Sequence, residues 1–297
     1  MKKIIKVAGI ILAVKLCLMF VLVYYGDTMN FFNRKRISLS GSEMKIMTYN
    51  IRCMTPVDKG ERRWANRAPL ICEILEEEQP LIVGFQETKV PQYRYLRNFL
   101  EGYESVNTYR DHSPFTESNP LFFRKDVFNL IDKGTFWLTS TPDVMSKEWN
   151  SNCYRICTFA VLEEKSTLNR FVVMNTHLDH ISEEARINGI KVIFERASKY
   201  NLPIILMGDF NAYRREETIV SANALFEEVG KDFDDYTKGT FNNYTIYSKE
   251  RCQRIDYIFE TKDSFDIIDY RVIDKTFDKV FPSDHFPIVI KINLKNQ

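Results

Sequence analysis

The sequence predicts an α/β domain preceded by an apolar segment. Short apolar runs rich in β-branched residues alternate with stretches whose apolar residues recur at helical spacing, a pattern typical of strands and helices that share one core. Several runs stop abruptly at polar side chains, as residues 202–207 do just before Gly208 and Asp209. The 297 residues, 44% of them hydrophobic, are sufficient for one large domain.

Residues 1–25 are predicted to be a transmembrane anchor or a signal segment. Lysines precede an apolar run over residues 7–25, close to the roughly 20 residues that span a bilayer as a helix. No small-x-small cleavage site follows the run, which favours an uncleaved anchor over a removed signal peptide, although Lys15 is unfavourable in mid-membrane. We expect a membrane-anchored protein with its domain outside the cytoplasm; secretion after cleavage and a soluble apolar tail are the alternatives. Residues 26–43 are then a linker and residues 44–297 the domain.

Charge and cysteine content limit the function classes. Residues 1–43 hold seven of the 41 Lys and Arg residues and two of the 40 acidic residues, so residues 44–297 carry a net charge of −4. Proteins that grip duplex nucleic acid nonspecifically usually have a basic surplus, which this domain lacks, although a local basic patch remains open. The six cysteines include no Cys-x-x-Cys of zinc-site spacing. A disulfide between Cys153 and Cys157 is the less favoured alternative to free thiols.

Strands are predicted where apolar or β-branched residues run together between turn signals. In chain order they are residues 45–49, 81–85, 120–124, 128–138, 155–163, 170–176, 202–207, 257–259 and 287–290. Residues 165–167 join two of them as a hairpin. Helices are predicted where apolar residues recur every three or four positions. They are residues 62–79, which Pro80 ends, residues 92–101, and a helix that begins after the N-cap Ser182.

Polar side chains stand at one end of six predicted strands. Four strands end in them and two begin with them, so strands that alternate in direction would bring all six clusters to one edge. The clusters are Asn50; Glu87; His177 with Asp179; Asp209 with Asn211; Asp256; and Asp284 with His285. Gly-Asp-Phe-Asn at 208–211 would by itself be equally typical of a turn. Together the clusters offer hard oxygen ligands for a divalent cation, a base for water and donors for a phosphate, which metal-assisted phosphoryl transfer requires.

In these motifs the sequence resembles the endonuclease/exonuclease/phosphatase superfamily, which includes pancreatic-type deoxyribonucleases, abasic-site endonucleases, deadenylases, neutral sphingomyelinases and inositol-polyphosphate 5-phosphatases. The matching segments, in the family's order, are 48–52, 85–88, 175–178, 208–211, 254–257 and 283–285. The resemblance implies a DNase-I-like two-sheet α/β sandwich flanked by helices. Segments 134–138, 141–142 and 155–158 are similar to bacterial members nearest the deadenylase/nocturnin branch.

The resemblance also implies a metal centre and a water-activating group. Glu87 would be the principal ligand of Mg²⁺, or of Mn²⁺, with Asn50 beside it and Asp284 nearby. Asp209 would orient and deprotonate the attacking water. Asn211 would help to position the water or the phosphate, and Asn50 would also border the substrate.

By the same resemblance, two histidines would contact the phosphate. His285 would do so with its imidazole oriented by Asp256, and a carboxylate behind a histidine favours its cationic form. His177 would bond a phosphate oxygen on the other side or assist the leaving group. Arg155 is a further candidate substrate contact, and His180 is expected to lie in the loop after its strand without binding metal.

The expected reaction is hydrolysis of a phosphodiester or phosphomonoester by in-line water attack, with nucleic acid or a nucleotide as the favoured substrate. A phospholipid or phosphoinositide ester, as for a sphingomyelinase-like enzyme, is the alternative, although residues 251–256 depart from the 5-phosphatase pattern. A non-catalytic binding module would have lost Glu87, Asp209 or His285, and all three are present. Calcineurin-like phosphoesterases need a Gly-Asn-His cluster that this chain lacks. We expect a monomer that meets the membrane through residues 1–25.

Overall fold

A computed structural model describes residues 9–15, 36–245 and 253–295. Its four long helices in the domain are α1 (Trp64–Glu78), α2 (Val90–Phe99), α3 (Glu183–Ala197) and α4 (Glu217–Leu225). Its strands are β1 (Lys45–Asn50), β2 (Ile82–Gln86), β3 (Thr88–Lys89), β4 (Tyr103–Val106), β5 (Glu117–Ser118), β6 (Leu121–Arg124), β7 (Phe128–Trp137), β8 (Ile156–Glu164), β9 (Arg170–His177), β10 (Ile204–Asp209), β11 (Glu227–Glu228), β12 (Asp256–Glu260), β13 (Phe265–Val272) and β14 (Ile288–Leu294).

Most of the predicted N-terminal anchor lies outside the described residues. Residues 9–15, which are described, are helical. Among the helices of the described ranges, none combines the length and the apolar character needed to cross a bilayer.

Two six-stranded mixed sheets form the centre of the domain. The first has the order β13-β14-β1-β2-β6-β4 and the second β11-β12-β10-β9-β8-β7, while β3 and β5 form a small separate ladder. β1 runs parallel to β2, and β9 runs parallel to β10. β14 is antiparallel to β1, and β12 is antiparallel to β10. The predicted two-sheet sandwich flanked by helices is therefore confirmed.

The core has three apolar layers because neighbouring strand residues point to opposite faces. Ile46 of β1 packs between the two sheets, whereas the next residue, Met47, packs under the helices. α1 and α2 cover the outer face of the first sheet. α3 and α4 cover the outer face of the second. The result is an α/β/β/α stack whose polar strand ends lie at one edge of the two sheets.

The predicted elements match the structure at most strands, with small shifts at helix ends. α2 begins at Val90 instead of residue 92 because Pro91 suits the first helical turn. The Ser182 hydroxyl accepts a bond from the Ala185 amide at 3.2 Å, as expected of an N-cap. The sequence did not predict β4, β13 or α4. β4 and β13 are edge strands whose apolar residues are interrupted by polar and charged ones, so their apolar signal is weak.

A buried amide joins the two sheets close to the edge where the polar clusters lie. Nδ2 of Asn175 on β9 donates to the carbonyl of Phe85 at 2.9 Å, and its Oδ1 accepts from Nε2 of Gln86 at 2.7 Å. Gly84 makes room for this approach, because a Cβ there would lie 2.7 Å from the Asn175 side chain. Asn175 thus links the first sheet to the second through hydrogen bonds without entering the cleft.

Candidate active site

All six polar clusters lie at one edge of the sandwich, as predicted. Asn50 pairs with Gln86 at the ends of β1 and β2, and Asp209 pairs with both His177 and Asp256 in the second sheet. A cleft of about 650 Å³ opens over this edge. The two sheets therefore contribute opposite walls of one site.

Asp209 lies at the centre of the cleft floor and is only 1% exposed. Its Oδ1 accepts the backbone amide of Asn211 at 2.9 Å. Its Oδ2 accepts Nδ2 of Asn50 at 2.9 Å and lies 3.5 Å from Nε2 of His177 and 3.8 Å from Nε2 of His285. Burial raises the pKa of Asp209 to about 7, and the charge of Asp256 acts in the same direction.

A glycine places Asp209 in this position. Gly208 has φ +148°, and a Cβ at this position would lie 1.9 Å from the carbonyl oxygen of Thr176 on the neighbouring strand. Only glycine fits such a conformation without displacing β9. The Gly-Asp-Phe-Asn motif is thus the end of a buried strand, and the turn geometry begins at Asn211, whose φ is +47°.

His285 forms a buried ion pair with Asp256. Nδ1 of His285 lies 2.8 Å from Oδ2 of Asp256, and both side chains are almost fully buried. Burial lowers the pKa of His285, but the charges of Asp256 and of the nearby aspartates outweigh this effect and raise it to about 10. At neutral pH His285 is therefore cationic, and its Nε2 faces the cleft beside Asp209.

His177 is neutral and is held by Asn211. Nδ2 of Asn211 lies 2.9 Å from Nε2 of His177 and also donates to the carbonyl of Leu178 at 3.1 Å. The carbonyl can only accept, so the nitrogen of the amide faces the ring and Nε2 of His177 is the acceptor. Burial lowers the pKa of His177 well below its usual value, and the charge of Arg155 lowers it further. The sequence had shown no partner for His177.

Glu87 lies across the cleft floor from Asp209, with Asn50 between them. Its Oε1 accepts Nδ2 of Asn50 at 3.2 Å, and its Oε2 accepts the backbone amide of Cys53 at 2.8 Å. Glu87 has φ +59°, an unusual backbone conformation for a side chain of this type. Burial raises the pKa of Glu87, but the hydrogen bond from the Cys53 amide and the charge of His285 outweigh burial and lower the pKa, so this carboxylate stays ionised.

Asp284 completes an acidic pair with Glu87. Its Oδ2 lies 3.2 Å from Nη1 of Arg52. Burial raises the pKa of Asp284, and the negative charge of Glu87 raises it too, against the effect of His285. Two carboxylates and the Asn50 amide oxygen, which accepts one bond from the Arg52 amide and keeps a second lone pair, form the donor set that a hard divalent cation prefers.

A second group could also hold a metal ion. Asp209, Asp256 and His285 offer ligand atoms within 4.8 Å of one another. The ring nitrogen Nδ1 of His285 already bonds Asp256, and this group brings nitrogen where Mg²⁺ favours oxygen. The Glu87 side of the cleft therefore fits Mg²⁺ better.

Arg155 reaches the cleft but is tied to the residues beside it. Its Nε lies 3.4 Å from Asp179, and its Nη2 lies 2.9 Å from Nδ1 of His180. Asp179 also accepts the amides of residues 152, 153, 181 and 182, so its carboxylate caps the loops that contain these residues. His180 bonds Arg155 in this arrangement and lies apart from Glu87 and Asp284 in the hydrogen-bond network.

Sequence reasoning missed several residues that line the cleft. Four of them form two arginine–carboxylate pairs, and two are exposed apolar or aromatic side chains at the rim. They are Arg110 with Glu117, Arg186 with Glu216, Ile181 and Tyr213. Nothing in the sequence around these residues indicates that they line the cleft, because segments distant in sequence must fold together to place them there.

Comparison with known proteins agrees with this geometry. A model of the Endonuclease/Exonuclease/phosphatase family matches residues 47–285. An endonuclease/exonuclease/phosphatase structure from Bacteroides vulgatus is 28% identical with a TM-score of 0.79, and it covers 86% of this chain and 100% of its own. The mannosyl-6-phosphatase Bt3783 of Bacteroides thetaiotaomicron is 29% identical with a TM-score of 0.78, covering 84% of this chain and 100% of its own.

A more distant relative comes from a eukaryote. The CCR4-Not complex 3'-5'-exoribonuclease subunit Ccr4 of Candida albicans is 24% identical over 86% of this chain, which spans 42% of that protein's length. The family match extends over most of the domain and includes every cluster of the cleft floor. The chain belongs to the endonuclease/exonuclease/phosphatase family.

Proposed function

We propose that this protein is a divalent-metal-dependent phosphoesterase that hydrolyses its substrate by in-line attack of water. The observation that carries the proposal is the environment of Asp209. Its carboxylate is fixed at both oxygens by the Asn211 amide and the Asn50 side chain, and its pKa is raised to about 7. A base with a pKa near neutrality, held in one orientation, is suited to take a proton from water as it attacks phosphorus.

The metal site that we propose consists of Glu87, Asn50 and Asp284. A bound Mg²⁺, or Mn²⁺, would neutralise charge on the phosphate oxygens. The chain prepares the site with Cys53 and Arg52, whose backbone amides hold the Glu87 carboxylate and the Asn50 oxygen. These contacts orient the ligands before any cation arrives, which reduces the cost of binding.

The phosphate would lie between the two histidines. His285 supplies a cationic Nε2–H on one side, and the Asp256 carboxylate behind it keeps that charge. His177 stays neutral, and Asn211 holds its ring. The His285 donor stabilises negative charge as it develops on the phosphate in the transition state. Arg155, whose guanidinium lines the same cleft, would contact the outer part of the substrate.

Nucleic acid or a nucleotide is the first candidate substrate, supported by the similarity to the exoribonuclease subunit Ccr4. A phosphorylated sugar is the second, supported by the higher identity to a mannosyl-6-phosphatase. One observation favours the second: among the residues that the structure describes, each cleft arginine outside the floor already pairs with a carboxylate. The pairs are Arg110–Glu117 at 2.8 Å, Arg155–Asp179 at 3.4 Å and Arg186–Glu216 at 3.3 Å. A charge-balanced wall suits a neutral, hydroxyl-rich leaving group better than a polyanion.

A substrate panel with Mg²⁺ tests both the class and the substrate. The panel contains single-stranded RNA and DNA, bis(p-nitrophenyl) phosphate, p-nitrophenyl phosphate, mannose 6-phosphate, sphingomyelin and a phosphoinositide. Turnover that EDTA abolishes and Mg²⁺ restores is the expected result, and unchanged hydrolysis in EDTA would refute the metal requirement.

Glu87→Gln tests whether Glu87 is a ligand of the metal ion. It should weaken metal binding and lower turnover, with partial recovery at high Mg²⁺, because one hard oxygen ligand becomes an amide. Glu117→Gln is the matched control, since Glu117 lies in the same cleft but outside the proposed ligand set. If both variants need the same Mg²⁺ concentration as the wild type, Glu87 is not a ligand.

We also propose that residues 1–25 anchor the domain outside the cytoplasm. Deletion of residues 1–35, which keeps the buried Ile37 of the domain core, should move the protein from the membrane fraction to the soluble fraction with unchanged specific activity. Full-length protein that is wholly soluble and retains Met1 would refute the anchor.

A further inference from the structure

A fully buried arginine lies beneath the proposed metal site. Arg67 belongs to the first turn of α1 and is 0% exposed. Its guanidinium donates four hydrogen bonds, and every acceptor is a backbone carbonyl. The acceptors are Arg62 at 2.7 Å from Nε, Ile51 at 2.7 Å and Pro282 at 2.9 Å from Nη1, and Arg52 at 3.1 Å from Nη2.

Three of these carbonyls belong to the segments that carry the proposed metal ligands. Ile51 directly follows Asn50, and Pro282 lies two residues before Asp284. The same two segments are joined once more by the Ser283 hydroxyl, which donates to the Asn50 carbonyl at 2.7 Å. One guanidinium therefore sets the distance between a ligand from the centre of the first sheet and a ligand from the loop before β14.

Arg67 also supports a strained turn. Arg52 has φ +56°, which is unfavourable for a long side chain and persists only where surrounding contacts impose it. The carbonyl of Arg52 accepts from both Arg67 and Nε2 of Gln92 at 2.9 Å. The turn aims the Arg52 amide at the Asn50 oxygen and the Cys53 amide at Glu87.

The charge of Arg67 has no acidic partner at contact among the described residues. Two other buried arginines of the domain are different, since Arg124 pairs with Asp126 and Arg186 with Glu216. The guanidinium of Arg67 lies instead over the rings of Trp64 and Tyr244, at 5.6 and 5.9 Å. A buried arginine without a carboxylate is costly, and a lysine could not supply a planar fork to several carbonyls at once.

We propose that Arg67 is a positioning residue of the metal site: its guanidinium holds the 50–53 turn and the 282–284 loop at the spacing that lets Asn50, Glu87 and Asp284 share one cation. The inference rests on the proposed function. It concerns how the site is assembled, because Arg67 is buried and contacts neither the cleft nor the substrate.

Metal binding measured without turnover tests the inference. Mn²⁺ alone is titrated by calorimetry into the full chain as wild type, Arg67→Met, Arg67→Lys and Arg124→Met, and urea unfolding is measured for each. Arg124→Met is the matched control, because Arg124 is a buried arginine that donates to the Gly41 carbonyl at the opposite end of the first sheet. On the substrate that the panel identifies, kcat and KM are measured separately.

Arg67→Met is expected to raise the Mn²⁺ dissociation constant at least about tenfold and to lower kcat about 100-fold with KM nearly unchanged. Arg67→Lys should fall between Arg67→Met and wild type. Arg124→Met should lose stability and keep wild-type metal affinity.

Wild-type Mn²⁺ affinity in folded Arg67→Met would overturn the inference. If Arg67→Met does not fold, Arg67→Lys decides: a dissociation constant at least about threefold above that of the wild type supports the inference, and an unchanged one overturns it. A wild-type chain that binds no Mn²⁺ would instead refute the proposed function and, with it, the inference.

Discussion

Nδ1 of His285 and Oδ2 of Asp256 lie 2.8 Å apart in a site from which water is almost excluded. The carboxylate orients the ring and stabilises its charge, so the pKa of His285 rises to about 10 although burial alone would lower it. The pair is the structural basis for the first prediction.

Asp256→Asn is expected to act through His285. Each of Asp256→Asn and His285→Ala should lower kcat/KM by about 10²–10³, and the double variant should lose little more than His285→Ala alone, because residues that work as a unit are not additive. Without the Asp256 charge the pKa of His285 falls. As pH rises, the variant should therefore lose activity at a lower pH than the wild type does.

The measurement is a double-mutant cycle on kcat/KM across pH, with folding checked by circular dichroism. His177→Ala combined with Asp256→Asn is the control, and these losses should multiply. Independent losses for Asp256→Asn and His285→Ala would contradict the pairing.

The second prediction concerns the bond between Asn211 and His177. Asn211→Gly tolerates the left-handed backbone at this position and removes only the side chain. It should lower kcat about 100-fold, and His177→Ala should add little in that background. Asn211→Ala should be less stable than Asn211→Gly, because alanine is strained in this left-handed conformation and glycine is not. The difference in stability between the two variants measures that backbone strain.

Asn211→Asp gives an independent measurement for the same contact. A carboxylate 2.9 Å from Nε2 would raise the pKa of His177, which is normally held below its usual value. NMR titration of the ring should show this rise. An unshifted His177 in Asn211→Asp would argue that the two side chains are not in contact.

The third prediction concerns the backbone at Gly208. Gly208→Ala is expected to lower the free energy of unfolding by about 4 kcal/mol or more, because the new Cβ would lie 1.9 Å from the Thr176 carbonyl. Gly60→Ala is the matched control: Gly60 also has a positive φ, of 57°, but nothing lies within 4 Å of its Cβ position. That change should cost about 1 kcal/mol. Similar urea midpoints for the two variants would contradict the predicted clash.

The fourth prediction is a pH dependence far from the cleft. Burial raises the pKa of Glu260 to about 7, its bond from the Phe265 amide opposes this, and the charge of Glu227 on the paired strand raises it further. In the unfolded chain a glutamate ionises near pH 4.5. Between these values the folded state binds more protons than the unfolded state, so Glu260 lowers stability as pH rises from about 4.5 to 7.

Glu260→Gln should remove this loss. Relative to wild type, it should gain about 1–2 kcal/mol in unfolding free energy between pH 4.5 and pH 8, after allowance for solvent screening. Glu104→Gln, at an exposed glutamate, controls for the loss of one surface charge, and Glu260→Gln should gain more than this control over the same pH range. A constant difference for Glu260→Gln, measured by chemical denaturation, would contradict the raised pKa.

The common edge of the site was predictable because its signals are local. A buried strand that stops at Asp209, or starts at Asp256, shows its polar end in the sequence itself, and alternating strand direction is enough to bring such ends together. The pairing of Asp256 with His285 could also be predicted, because the family resemblance implied that Asp256 orients the His285 ring.

The remaining contacts depend on geometry that no local pattern carries. The bond from Asn211 to His177 requires the left-handed backbone at Asn211, and the four carbonyls around Arg67 come from three separate segments. Two other polar residues show this limit: the Asn119 amide donates to the Ile156 carbonyl, and Arg124 pairs with Asp126 at the far edge. Both looked similar to Arg155 in sequence because each lies on or beside a strand.

The Asn175 amide has a consequence for folding as well as for packing. Asn50 and Glu87 come from one sheet, His177 and Asp209 from the other, and Asn175 holds the two in register. A chain in which only one sheet has formed would have only some of the site residues in place. The distances between residues of the two sheets would not yet be fixed. The proposed hydrolytic activity should therefore appear in a refolding chain only after both sheets have formed and joined, because non-local contacts of this kind form slowly.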